Sequence, residues 1–257
     1  MKNFSFKDLS DFRSIAETNL TIDERKKLLK SANFYSAPDR EDYQNIQDHS
    51  EIVDQIIGFR VTEIEQQLKA MAQIQNPEGS VASWGKMMHE GSQSWVGLNP
   101  RQLLTPYNEL RDMCELLQPK EGSSLVDLGA GYGRMAFVLN QIAPLCHFIG
   151  YEIVKERVDD SVRLFELYDL QNCEMHTQDI TKEDFHLPVA DYYLIYDYGT
   201  VEHIKQTLSE LQVIARTHPI KVIGRGRIRH YINNDHPWLS RIFDPHHEET
   251  FSVYSTY

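Results

Sequence analysis

The sequence predicts an α/β domain with a doubly wound, mainly parallel sheet and helices on both faces, behind a helical N-terminal extension. Three observations carry this. From Ser124 onward, short apolar runs alternate with amphipathic helical stretches, the pattern of strands that lie parallel because helices cross between them. Glycines at 129, 131 and 133 fall between one such strand and the helix after it. Ahead of residue 100 the apolar residues recur at helical spacing. The chain accordingly divides into an extension over residues 1–100 and an α/β domain over 101–257.

In the extension, residues 21–30 read as one helix and 50–71 as another, with Val53, Ile56, Ile57, Ile64, Leu68 and Met71 on one face. Asn76-Pro77-Glu78-Gly79-Ser80 breaks the pattern, and the stretch to Asn99-Pro100 is expected to be irregular. A helix is predicted over 106–117, with Thr105 as its cap and Pro106 at its first position. Strands follow over 124–128, 147–151, 172–177 and 192–196, and a fifth begins at 220–223. Helices over 134–142, 155–170 and 202–215 lie between them. Residues 250–257, rich in aromatic and β-branched side chains, read as an added antiparallel edge strand.

Composition restricts the partners. A net charge of -12 repels polyanions, so nucleic-acid binding would need a strong local basic patch. Arg225, Arg227 and Arg229 alternate as if on one face of an extended fifth strand, either a local anion site or a guarded sheet edge. The three cysteines, Cys114, Cys146 and Cys173, are too scattered for a disulfide framework or a zinc site and read as core residues. His246-His247 has no second cluster at ligand spacing, so no metal is expected. No run approaches the roughly 18 apolar residues of a membrane span. The first seven residues have no signal-peptide character, and a cytoplasmic protein is expected.

The chemistry concentrates in Val126-Asp127-Leu128-Gly129-Ala130-Gly131-Tyr132-Gly133-Arg134. Glycine permits positive φ and leaves no Cβ between backbone and ligand, and the helix start beyond it presents N–H groups that suit a carboxylate. Glu152, at the end of the next strand, is placed to accept both hydroxyls of a ribose. Asp179 follows the third strand, where an adenine amino group would lie. A dinucleotide fingerprint would need glycine at position 134, and Arg134 stands there, which disfavours a nicotinamide dehydrogenase.

Asp127 to Gly133 resembles the first motif of the class I, seven-strand methyltransferases. Gly150-Tyr151-Glu152 is similar to their acidic second-strand ending, Gln178-Asp179-Ile180 to their adenine-contacting segment, and Tyr196-Asp197-Tyr198-Gly199 holds the place of their fourth-strand motif. The resemblance covers residues 104–223 and implies S-adenosyl-L-methionine as cofactor, bound by Asp127, Gly129, Ala130, Gly131, Gly133, Glu152, Asp179 and Ile180. Leu104-Thr105-Pro106-Tyr107 is weakly similar to a threonine-proline element of seven-strand protein-lysine methyltransferases, which adds Thr105 to that set.

The methyl acceptor would lie beside the fourth strand, with Asp197, Tyr196 and Tyr198 as catalytic candidates. No Asn/Asp-Pro-Pro-aromatic tetrapeptide occurs there, which counts against base or glutamine amino groups. A protein lysine is the preferred acceptor, with a small-molecule amine close behind, and residues 84–106 would supply a lid and acceptor wall. The alternative is a non-catalytic cofactor-binding or protein-interaction module.

Overall fold

The computed structural model describes residues 4–90, 92, 94–196 and 198–257. Its centre is a seven-stranded sheet in the order β3-β2-β1-β4-β5-β7-β6. The strands are β1 (Ser124–Leu128), β2 (His147–Glu152), β3 (Cys173–Thr177), β4 (Tyr192–Tyr196), β5 (Lys221–Arg225), β6 (His246–His247) and β7 (Phe251–Ser255). The first five are mutually parallel; β7 runs antiparallel between β5 and β6. The C-terminal strand is therefore interior to the sheet. The short β6, a pair of histidines too brief to carry a strand periodicity, takes the edge.

Strand alternation sorts the core into two faces. Leu125, Leu194 and Ile223 pack toward one cluster, while Val126, Ile195 and Val222 pack toward the other. The second cluster is closed by α10 (Val201–Ile214) and α11 (Ile228–Asp235), through Ile204, Leu208 and Ile232. The first is closed by α7 (Tyr107–Leu117), α8 (Arg134–Ile142) and α9 (Lys155–Tyr168).

The extension belongs to that same first core. It comprises α1 (Leu9–Glu17), α2 (Ile22–Leu29), α3 (Tyr43–Ile57), α4 (Val61–Gln75), α5 (Val81–Met88) and the single turn α6 (Pro100–Leu103). Phe12, Ile56 and Leu68 share one continuous cluster with Phe137, Phe148 and Phe165. Phe59 meets Phe137 edge-on at 5.4 Å between ring centroids.

The helix expected over 50–71 is in fact two. Gly58 takes the left-handed conformation, φ 98°, its N–H closing onto the Asp54 carbonyl, and this ends α3 and lets α4 turn away. Helical spacing on both sides had hidden the joint. The stretch expected to be irregular holds α5, capped by Ser80, and α6. Pro106 is the cap residue of α7, one place earlier in the helix than the sequence suggested; the Ser50 hydroxyl accepts from the Tyr107 N–H at 3.2 Å. The arginine series does not share a strand face. Arg225 ends β5, Arg227 lies in the turn after it, and Arg229 is in α11. No described helix is long and apolar enough to cross a membrane.

Candidate functional site

The order of the sheet reverses between β1 and β4, whose carboxyl ends open a crevice. A cavity of about 360 Å³ occupies it, a size suited to a small ligand. Its floor is the turn after β1. Gly129, Gly131 and Gly133 have φ of 85°, 56° and 62°, a region that side chains with a Cβ rarely enter. The N–H groups of Gly129 and Ala130 both donate to the Tyr151 carbonyl at 2.9 Å, stitching the turn to β2. A Cβ on Gly131 would stand 3.4 Å from Leu104 Cδ2, narrowing the cradle from below.

Glu152 holds the same turn from the side. Its Oε2 accepts from the Gly131 N–H and its Oε1 from the Val154 N–H, each at 2.9 Å. An ionised carboxylate has about four acceptor positions, so two remain for ligand hydroxyls. Asp127 lines the cavity at 6% exposure and has no hydrogen-bond partner among the described residues. Burial, with the nearby Glu152 charge, pushes its carboxyl up to about 8. Asp179 is the opposite case. Burial raises it, but donors from Ser92 and Thr181 outweigh that and hold the carboxyl below its usual range. Thr181 donates its N–H at 3.0 Å and its hydroxyl at 2.7 Å to Oδ1, while the Ser92 hydroxyl takes Oδ2. Ile180 and Thr105 complete the cavity wall.

Residues 119–223 match a family model described as a methyltransferase domain. That stretch is similar to a methyltransferase domain. A 92-residue stretch, 36% of the chain, is 30% identical to a probable (S)-tetrahydroprotoberberine N-methyltransferase 2 of Papaver bracteatum. The match spans only 25% of that relative. Among solved structures, a SAM-dependent methyltransferase from Aquifex aeolicus is 14% identical, with 69% of this chain and 98% of that one covered and a TM-score of 0.45. An RNA methyltransferase from Salinibacter ruber, in complex with S-adenosyl-L-homocysteine, is 18% identical over 59% of this chain and 91% of that one, at a TM-score of 0.41.

The cavity fits S-adenosyl-L-methionine on the evidence of its own atoms. Where a Cβ would intrude, the floor is glycine. The unpartnered Asp127 carboxyl suits the cationic amino-acid end, and Glu152 keeps acceptors free for the ribose. Gly133 is set back from the cavity. A Cβ there would meet Phe165 and Met175 at 3.1 and 3.2 Å, so this glycine serves the packing of α8 against α9 and β3.

Two of the three catalytic candidates line the cavity beside β4. Tyr198 gives its hydroxyl to a bond with Thr207 Oγ1, and burial holds that phenol well above its usual pKa. The Tyr196 ring is covered by the Arg225 guanidinium at 4.2 Å, and Arg225 is itself paired with Glu109 at 2.6 and 3.1 Å. Asp197 lies outside the described residues.

Sequence reasoning missed two buried arginines. Arg134, read only as a missing glycine, pairs through both Nε and Nη2 with Asp54 of α3 and donates to the Thr105 carbonyl at 3.1 Å. Arg157 of α9 pairs with Glu65 of α4 at 2.8 and 3.2 Å. Both partners sit in the extension, some 80 and 92 positions away, where spacing gives no signal. A polar residue on the inner face of a predicted helix was the available hint.

Proposed function

We propose that the protein transfers the methyl group of S-adenosyl-L-methionine to a neutral amine of a small molecule with an apolar body. The carrying observation is the apolar part of the cavity lining. Leu98, Leu103, Leu104, Leu110 and Leu194 contribute to it, with Trp95. Arg225 is committed to Glu109 and already covers a face of the Tyr196 ring, which disfavours a lysine ammonium on that face. An apolar wall favours the uncharged form of an amine, because burial disfavours an unpaired charge. The name of the Papaver bracteatum relative, a probable N-methyltransferase, agrees with this reading.

The bound cofactor supplies a carbon already activated by its sulfonium, so the protein's task is alignment and exclusion of water. The glycine turn and Glu152 hold the adenosyl part. Asp127 holds the amino-acid end, and the leucines present the acceptor's lone pair. The proton on an amine is lost in water before entry, so no base in the wall is required. Protein with cofactor is to be incubated with apolar tertiary amines, lysine peptides and RNA, and each pool examined for a 14-dalton gain. Methylation confined to peptide or RNA would refute the proposal. Cofactor binding with transfer to no pool would select the second reading, a non-catalytic binding module, which is favoured by the engagement of the Tyr198 hydroxyl with Thr207.

A further inference from the structure

Arg157 is the meeting point of three separate parts of the chain. Its side chain is 3% exposed. It grips Glu65 of α4 with two hydrogen bonds, donates to the Trp95 carbonyl at 2.6 Å, and stands 3.6 Å from Glu152 Oε1. Glu65, 5% exposed, is further tied to the domain by the Tyr132 hydroxyl at 2.9 Å. Trp95 belongs to a strap, residues 94–99 ahead of α6, from which Ser94, Trp95 and Leu98 line the cavity; Ser92 nearby bonds Asp179. Burial alone would disfavour the Arg157 charge; the Glu152 and Glu65 carboxylates more than restore it.

The buried guanidinium is hydrogen-bonded to the extension through Glu65 and to the strap through Trp95, and it stands at ion-pair distance from the Glu152 carboxylate. Moving any one of these partners moves the other two. We infer that Arg157, oriented by Glu65 of the helical extension, is a positioning residue for the cofactor site: it sets the Glu152 carboxylate and pins the strap that lines the cavity. The extension is then part of the binding machinery, though neither Glu65 nor α4 borders the cavity. This rests on the cofactor reading above.

The test separates positioning from plain stability. Glu65→Gln leaves Arg157 buried with a single charge partner, and both melting temperature and affinity fall. In the double variant Glu65→Gln/Arg157→Gln the stranded guanidinium is gone and Glu152 keeps its two backbone N–H donors, so the melting temperature recovers in part. Affinity for S-adenosyl-L-homocysteine by calorimetry, however, stays weaker by on the order of tenfold. Glu65→Asp, which keeps the charge, binds more tightly than Glu65→Gln. Recovery of affinity together with stability in the double variant would overturn the inference.

Should the variants not fold, amide hydrogen exchange on the wild-type protein decides. S-adenosyl-L-homocysteine must slow exchange in strap residues 94–99 and in α4 around Glu65; unchanged exchange at both places overturns the inference. No calorimetric heat with wild-type protein would instead refute the cofactor reading itself.

Discussion

Asp127 makes cofactor affinity depend on pH in a direction the structure fixes. In the ligand-free protein the carboxyl is buried, without a donor, and titrates at about 8. A cationic ligand group beside it favours the ionised form, so binding near pH 7 must expel its proton. Each pKa unit is about 1.36 kcal/mol. At pH 6.5, about 1.5 units below the titration, ionising Asp127 costs about 2 kcal/mol of the binding energy. Affinity for S-adenosyl-L-homocysteine, whose ammonium persists over this range, should therefore rise about thirtyfold from pH 6.5 to above 8 and then level. Calorimetry at pH 7 in two buffers of different ionisation enthalpy should register release of nearly one proton per ligand. Asp127→Asn should abolish both the slope and the release.

The same variant has an opposite effect on the empty protein. A carboxyl raised in the folded state keeps a proton that the unfolded chain loses above about pH 4, so its stability cost grows as pH rises to 8. Asp127→Asn lacks that cost and should be more stable at pH 7.5, by up to about 5 kcal/mol. A flat affinity profile between pH 6.5 and 8 with no proton release would refute this assignment of Asp127.

Other expectations are sharper for being coupled to particular contacts. Glu152→Gln should weaken cofactor binding by about 2–4 kcal/mol in calorimetry, because charge-assisted bonds to the ribose become neutral ones. It should also lower the melting temperature, since the Gly131 and Val154 N–H groups lose the same carboxylate. Asp54→Asn strands the Arg134 guanidinium in the core and should cost about 3–5 kcal/mol in denaturant unfolding. Tyr198→Phe removes the bond to Thr207 and should cost about 1 kcal/mol of stability while leaving turnover of a methylated acceptor within twofold, roughly. A large fall in turnover with unchanged stability would put that hydroxyl into the chemistry instead.

What the sequence determined by itself is local. Ser124–Leu128, Arg134–Ile142 and Tyr192–Tyr196 have the bounds that their apolar patterns predict, because a strand or helix buried in a parallel sheet writes its period into neighbouring residues. The glycine turn and Glu152 were legible for the same reason. A positive φ leaves few alternatives to glycine, and the acid stands a fixed strand-and-helix length beyond it.

Tertiary structure decided everything that joins distant segments. Gly58 split one apparent helix in two, and His246–His247 became a strand only because β7 lay beside it. Arg134 and Arg157 found their carboxylates in α3 and α4, which no periodicity could pair across so many residues. The Tyr198 hydroxyl, plausible as a catalyst from its position after β4, was claimed by Thr207 on α10. A chain's pattern records which face of an element is buried, but not what lies against it. That is settled only when the elements pack, and there the helical extension closed over the site and became part of it.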